Sequence, residues 1–158
     1  MDNSIQVVKI KTLAERQAAF DIRHKVFVIE QAVDAAEEYD DDDERCTHFL
    51  AYCQGQACGT ARWRFKDKGI IKLERFAVDK AFRSKGVGAA LVQAVLTDLP
   101  YAEKVMMHAQ IHAIPFYEKQ GFETYGPQFD EAGIQHFAMK LKQTDQPNFY
   151  PQDSNNFN

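Results

Sequence analysis

Apolar positions change period along the chain, and each change marks an element. Ile5 to Ile10 predicts a first strand. From Leu13 to Ile29 the residues Ala19, Ile22, Val26 and Ile29 recur at helical steps, with Thr12 as N-cap and Glu15 placed to complete a capping box. His48 to Gln54 and Ala57 to Phe65 read as strands joined at Gln54-Gly55-Gln56, and Gly69 marks the turn into a third strand running through Val78. Helical spacing returns at Ala90, Leu91, Ala94 and Val95. A strand over 104–108, a helix near 111–120 and a last strand from Ile134 to Leu141 complete the pattern. An antiparallel meander followed by strand-helix-strand units predicts a mixed α/β sheet.

Residues 32–45 are acidic and lack periodicity, so they read as a long loop, a kind of segment that often carries function. The 158-residue length predicts one domain over residues 1–142, large enough to bury a core without metal or disulfide support. Residues 143–158 form a polar tail whose Phe149, Tyr150 and Phe157 leave two readings, fraying or docking on the domain or a partner subunit.

The formal charge of -4 argues against a nucleic-acid face. No apolar run approaches the ~20 residues that span a bilayer. Cys46, Cys53 and Cys58 lack metal-ligand spacing, and no signal segment opens the chain, so a reduced, cytoplasmic, membrane-free protein is expected. Cys53 and Cys58 flank the first hairpin and are expected as free thiols without a catalytic role.

The stretch Arg83-Ser84-Lys85-Gly86-Val87-Gly88 lies between a strand ending Phe76-Ala77-Val78 and a helix. Glycines admit close approach of a ligand to the backbone, first-turn N–H groups lack intrahelical partners, and the helix dipole adds positive potential. Such a loop suits a phosphate or pyrophosphate, with Arg83 and Lys85 adding full charges. It is not a Walker loop, because no Gly-Lys-Ser/Thr closes it, and it lacks GxGxxG spacing.

The RSKGVG run matches the R/Q-x-x-G-x-G/A signature of the GNAT N-acetyltransferase superfamily. A second block, His108 to Phe122, resembles that superfamily's later Asn-x-x-A-I-x-F/L-Y-x-K-x-G-F run, with Gln110 in place of the usual Asn. A third, Arg23-His24-Lys25-Val26-Phe27-Val28-Ile29-Glu30-Gln31 followed by the acidic run and His48, resembles the ElaA-like branch. The resemblance covers roughly residues 5 to 142. It implies a mostly antiparallel central sheet with flanking helices and a splayed pair of parallel strands.

The resemblance also implies acetyl-coenzyme A as co-substrate, no metal, and an amine or protein-lysine acceptor attacked directly in a ternary complex. Arg83, Ser84, Lys85, Gly86, Val87 and Gly88 are then expected on the pyrophosphate, and Phe76, Ala77, Val78 and Gln110 along the pantetheine arm. Tyr117 stands where the family often has a tyrosine near the coenzyme sulfur. It is the candidate to protonate the leaving thiolate, against a bland reading of Phe116 and Tyr117 as core aromatics.

For the base, Glu30, Glu74, His48 and His136 compete, with Glu74 and Glu30 ranked ahead. Glu74 is alternatively a salt-bridged carboxylate, and a lone strand histidine is more often structural. Arg23, Glu30, Gln31, His48 and His136 are the candidate acceptor-binding residues. The acidic run Glu37 to Glu44 reads as solvated, or as attracting a cationic amine or a divalent metal. Two alternatives stand beside the acetyltransferase: an acyl-homoserine-lactone synthase-like activity, compared through Arg23, Phe27, Asp40 and Asp43, and a non-catalytic acyl-coenzyme A sensor. Homodimerisation is common in the superfamily and in soluble proteins generally, so a dimer is one expected assembly.

Overall fold

The structure, a computed structural model, describes residues 4–143; the tail aromatics lie outside them. A seven-stranded sheet has the order β1-β2-β3-β4-β5-β7-β6, with β1 Ile5–Lys9, β2 Thr47–Cys53, β3 Gln56–Asp67, β4 Ile70–Val78, β5 Lys104–Gln110, β6 Phe122–Glu131 and β7 Ile134–Leu141. Its helices are α1 Leu13–Arg23, α2 Ala35–Glu38, α3 Val87–Asp98 and α4 Ile114–Lys119. The pairing is mostly antiparallel, and β4 runs parallel to β5 from Ile70↔Lys104 to Leu73↔Met107. The chain divides into two units, residues 4–64 with 74–95 and residues 65–73 with 96–143.

In the first unit, the predicted capping box forms. Glu15 N–H donates to Thr12 Oγ1 at 3.1 Å, and Thr12 N–H donates to Glu15 Oε1 at 3.1 Å. This satisfies two donors that a helix start leaves open. The helix reaches the predicted end, but from His24 to Glu30 it widens into a π-helix, closed by Gln31 N–H on the Val26 carbonyl at 3.1 Å. Ala19, Ile22 and Val26 still face the core with Leu50 and Ala77. At the first hairpin Gln54 and Gly55 both take positive φ, 53° and 82°, as a two-residue primed turn requires.

The second unit corrects the sequence reading by one strand. β6 was not expected, because Gly126-Pro127 reads as a loop and proline cannot donate to a ladder. The strand absorbs both residues in a bulge. Its register against β7 shifts between Tyr125 and Phe129, and pairing resumes at Phe129↔His136. Ala132 and Gly133, at φ 54° and 78°, then turn the chain into β7.

Residues 32–45 also depart from the loop expected there. Ala35–Glu38 forms α2, N-capped by Asp34, and Asp41–Arg45 forms a 3-10 turn capped by Asp40. Short Asp-capped turns carry no hydrophobic period, which is why the pattern missed them.

Candidate functional site

The loop after β4 passes through a 3-10 turn and two left-handed residues before α3 begins. Asp79 caps a 3-10 turn over Lys80–Phe82, Ser84 takes φ 65° and Gly86 φ 93°, and Gly86 O accepts from Ala90 N–H at 3.1 Å as α3 begins. Arg83, Ser84, Lys85 and Gly86 are exposed, Gly88 is half-buried and Val87 is buried. A Cβ on Gly86 would meet only Ile5 Cδ1, at 3.7 Å. Packing therefore does not demand glycine there; the left-handed backbone does.

Val87 is held from below by α3 packing on β3. A Cβ on Gly59 would lie 2.9 Å from Val87 Cγ1, 3.1 Å from Leu91 Cδ1 and 3.2 Å from the Ala77 carbonyl. Gly59 is thus where strand and helix approach too closely for any side chain.

Glu30 and Arg83 meet. Arg83 Nη1 and Nη2 donate to the two Glu30 carboxylate oxygens at 2.6 and 2.8 Å, while Arg83 Nε donates to the Val78 carbonyl at 2.9 Å. The hydrogen bonds from Arg83 hold the Glu30 carboxyl below the usual carboxylate range. A carboxylate of lowered basicity, engaged on both oxygens, is poorly suited to the base role expected of it. Glu30 is instead the ion-pair partner of the loop's arginine.

Glu74 is also engaged. It is buried, and Arg62 Nε and Arg64 Nε donate to its Oε1 at 3.0 and 3.1 Å, with Arg64 Nη2 on Oε2 at 3.2 Å. Of the two readings carried from sequence, this geometry matches the salt-bridged carboxylate. Directly after it, Arg75 takes φ 58° within β4, a left-handed residue in a strand interior. A non-glycine residue in that conformation is strained backbone. Arg75 lies two positions beyond Leu73, which is paired with Met107.

The acidic run is no solvated loop. Arg23 pairs with Glu38 through Nε and donates to Asp43 from Nη1 at 2.8 Å. Arg62 donates to Asp43 at 2.5 Å and to Asp40 at 3.2 and 3.1 Å, and Arg75 Nη2 donates to the Glu37 and Glu38 carbonyls and Asp40, each at 3.2 Å. Arg23 also lies over the Phe20 and Tyr39 rings, 4.9 and 5.6 Å from their centroids. His48, placed among acceptor contacts from sequence, is buried with Nε2 3.0 Å from the Asp43 carbonyl, and burial pushes its pKa down. Arg23 and His48 are therefore internal supports of the acidic segment.

In the second unit, Gln110 pairs across the sheet with His136 and precedes a short 3-10 turn into α4. Tyr117 is buried on α4 between Phe116 and Phe122, at ring-centroid distances of 5.0 and 6.2 Å, and burial pushes its phenol pKa up. It is thus both a core aromatic and a phenol kept protonated. His136 is buried, with Nδ1 2.7 Å from the Ile134 carbonyl and its ring stacked on Phe129.

Sequence reading overlooked His108 and Glu131. His108 Nδ1 lies 2.8 Å from Glu131 Oε1, and its ring meets Phe129 edge-on at 4.9 Å. The signal was available in the period-two run around Phe129, Glu131 and Ile134 on either side of Ala132-Gly133, once β6 is accepted as a strand. Arg62 and Arg64 carried a signal too, flanking Trp63 so that both face Glu74.

Comparison with known proteins follows from this geometry. The family model described as Acetyltransferase (GNAT) domain matches residues 10–143. The uncharacterized N-acetyltransferase YjcF of Bacillus subtilis (strain 168) is 37% identical over 138 residues, covering 85% of this chain and 98% of that protein. The crystal structure of Escherichia coli ElaA superposes with a TM-score of 0.75 at 24% identity, over 89% of this chain and 100% of that one. A GNAT family acetyltransferase from Elizabethkingia anophelis, solved with acetyl-coenzyme A bound, gives a TM-score of 0.67 at 15% identity, over 87% and 97% of the two chains.

Proposed function

The chain belongs to the GNAT acetyltransferase family, and from that premise we propose that it moves an acetyl group from acetyl-coenzyme A to a primary amine by direct attack. The observation that carries the donor assignment is the exposed turn from Arg83 to Gly86, with Gly86 at φ 93°, opening onto the start of α3. Unsatisfied first-turn N–H groups, positive helix potential and two cationic side chains suit a pyrophosphate. The related fold that carries acetyl-coenzyme A in Elizabethkingia anophelis supports the same donor.

When bound, acetyl-coenzyme A supplies an activated acyl carbon. Arg83, Ser84, Lys85, Gly86, Val87 and Gly88 hold the pyrophosphate, and Phe76, Ala77, Val78 and Gln110 serve the pantetheine arm. Tyr117 donates the proton that the departing thiolate needs, from a phenol that burial keeps neutral. The acceptor is an amine, on a small molecule, a polyamine or a lysine side chain, and the setting is the cytoplasm.

Arg23, Asp40 and Asp43, through which the synthase-like alternative was compared, are joined in the arginine–carboxylate network, and a test with S-adenosylmethionine and acyl carrier protein separates that alternative from acetyl transfer. Calorimetric titration with acetyl-coenzyme A and desulfo-coenzyme A tests the donor. A thiol-release screen with spermidine, lysine amide and tyramine then tests transfer. Micromolar binding of acetyl-coenzyme A with release of coenzyme A thiol is expected, whereas binding without any thiol release from these amines would favour the sensor reading.

A further inference from the structure

Building on that acetyl-transfer function, we propose that His108 is the catalytic base that takes a proton from the acceptor ammonium, with Glu131 as its positioning residue. The geometry singles out this pair. Glu30 and Glu74 are each forked by arginine, and the His48 ring is turned onto a backbone carbonyl inside the acidic network. Tyr117 is kept protonated and is an acid, not a base. His108 differs in having a carboxylate at 2.8 Å on one ring nitrogen.

A carboxylate only accepts, so Nδ1 carries the proton and donates it to Glu131 Oε1. In the neutral ring the lone pair then lies on Nε2, and the same carboxylate stabilises the imidazolium that forms when Nε2 takes a proton. This is the orienting logic of a carboxylate behind a histidine base. Glu131 is held ionised by that hydrogen bond, and the nearby Lys72 and His136 act in the same direction.

Access separates His108, on β5, from the two other strand histidines, His48 on β2 and His136 on β7. Its side chain is 23% exposed and that of Glu131 is 41%, whereas His48 and His136 are 7% and 6% exposed. Phe129 fixes the ring from the side: it meets His108 edge-on and stacks on His136. The bulge in β6 makes this possible, because the shifted register sets Phe129 opposite His136 and Glu131 opposite Ile134.

On β5, His108 comes directly after Met107, the residue paired with Leu73 of β4, and two before Gln110. Residues two apart share a strand face and lie about 7 Å from one another. His108 is therefore on the same face of β5 as the residue assigned to the pantetheine arm.

The step balances as follows. Nε2 of His108 removes one proton from the ammonium, the freed lone pair forms the C–N bond at the thioester carbon, and the C–S bond breaks with its electron pair on sulfur. The thiolate receives a proton from Tyr117, the new amide nitrogen gives up its extra proton to re-protonate Tyr117, and His108 returns its proton to solvent.

The test compares H108Q, H108G and E131Q with the wild-type protein, using the amine of highest turnover in the spermidine, lysine amide and tyramine screen. General-base removal costs roughly a hundredfold or more. H108Q should lose that factor in kcat while its calorimetric Kd for acetyl-coenzyme A stays within about twofold. H108G should regain activity when free imidazole is added, which a purely structural histidine would not show. E131Q should lose roughly tenfold in kcat, with partial recovery in E131D. Full kcat in a folded H108Q, or no imidazole rescue of a folded H108G, overturns the proposal while leaving the donor assignment standing. Absence of thiol release from the wild-type protein would overturn this proposal and the acetyl-transfer reading together.

Discussion

Arg83 grips Glu30 through both oxygens of the carboxylate, with Nη1 2.6 Å from Oε2 and Nη2 2.8 Å from Oε1. Both side chains are more than a third exposed, so the pair adds little to stability. Its consequence is for the loop. A cation proposed for the pyrophosphate is already faced by an anion, and the two acceptors compete for one guanidinium.

Replacing Glu30 by Gln should therefore tighten acetyl-coenzyme A binding. The gain is on the order of 1.4- to fivefold, as expected for an exposed charge pair of ~0.2–1 kcal/mol, and it should shrink in high salt. Arg83→Ala should weaken binding about tenfold or more, the loss of a charge-assisted hydrogen bond of ~1.5–3 kcal/mol. Calorimetry at two salt concentrations reads both. A weaker Kd in Glu30→Gln would show that the carboxylate serves the loop by orienting Arg83 rather than by opposing its ligand.

The acidic segment predicts how stability depends on pH. Burial alone would raise the Asp43 pKa, and the hydrogen bonds and charges of Arg23 and Arg62 outweigh it, leaving the carboxyl below its ordinary value of 3.8. A lowered folded-state value means that stability is fully present above 3.8 and is lost as pH falls through the folded value. Burial lowers the His48 pKa as well, so its contribution begins to fade below its ordinary 6.5. Denaturant melts should show a shallow loss below about pH 6.5 and a steep one below about pH 4. Asp43→Asn should cost about 3–5 kcal/mol and flatten the steep limb, since it leaves two buried arginines short of a partner. An unchanged acid limb in that variant would remove Asp43 from the account.

Much of the frame was legible because apolar period and turn chemistry are local. The capping box at Thr12 and Glu15, the turn at Gln54-Gly55 and the last strand are all written in neighbouring residues. What escaped was set by partners distant in sequence. The acidic run carries no hydrophobic period, and its order comes from Arg23, Arg62 and Arg75, which are spread over three elements. β6 escaped because Gly126-Pro127 signals a loop locally, while pairing with β7 tolerates both in a bulge. His108 and Glu131 could be joined only after that strand was known. Glu30 and Glu74 stood out as carboxylates, yet no sequence pattern says that arginines already hold them.

Gly59 offers a test of how the loop is supported. Its Cβ position lies 2.9 Å from Val87 Cγ1 and 3.2 Å from the Ala77 carbonyl, a backbone atom that cannot rotate away. Gly59→Ala should lower stability by roughly 1–3 kcal/mol through overpacking. Because Val87 is the first residue of α3 and part of the loop, the same change should weaken acetyl-coenzyme A binding although it touches no ligand. Gly55→Ala is a control: its Cβ meets nothing within 4 Å, so any cost there comes from positive φ and leaves the Kd unchanged. Equal Kd values for the two variants would mean that α3 does not set the loop.

Tyr117 makes the last prediction, and it has a kinetic and a pH part. Its ring is packed edge-on against Phe116 and Phe122, so Tyr117→Phe keeps the shape of the site and removes only the hydroxyl. If the phenol protonates the leaving thiolate, kcat should fall by roughly a hundredfold with acetyl-coenzyme A affinity nearly unchanged. Burial raises the phenol pKa above its ordinary 10.0, so the acid form persists through the alkaline range in which an exposed tyrosine would ionise. The wild-type rate should accordingly show no fall assignable to Tyr117 up to about pH 10. Coenzyme A thiol release, measured across pH for both proteins, decides the matter. Wild-type kcat in Tyr117→Phe would return this residue to the core and pass the leaving-group proton to water.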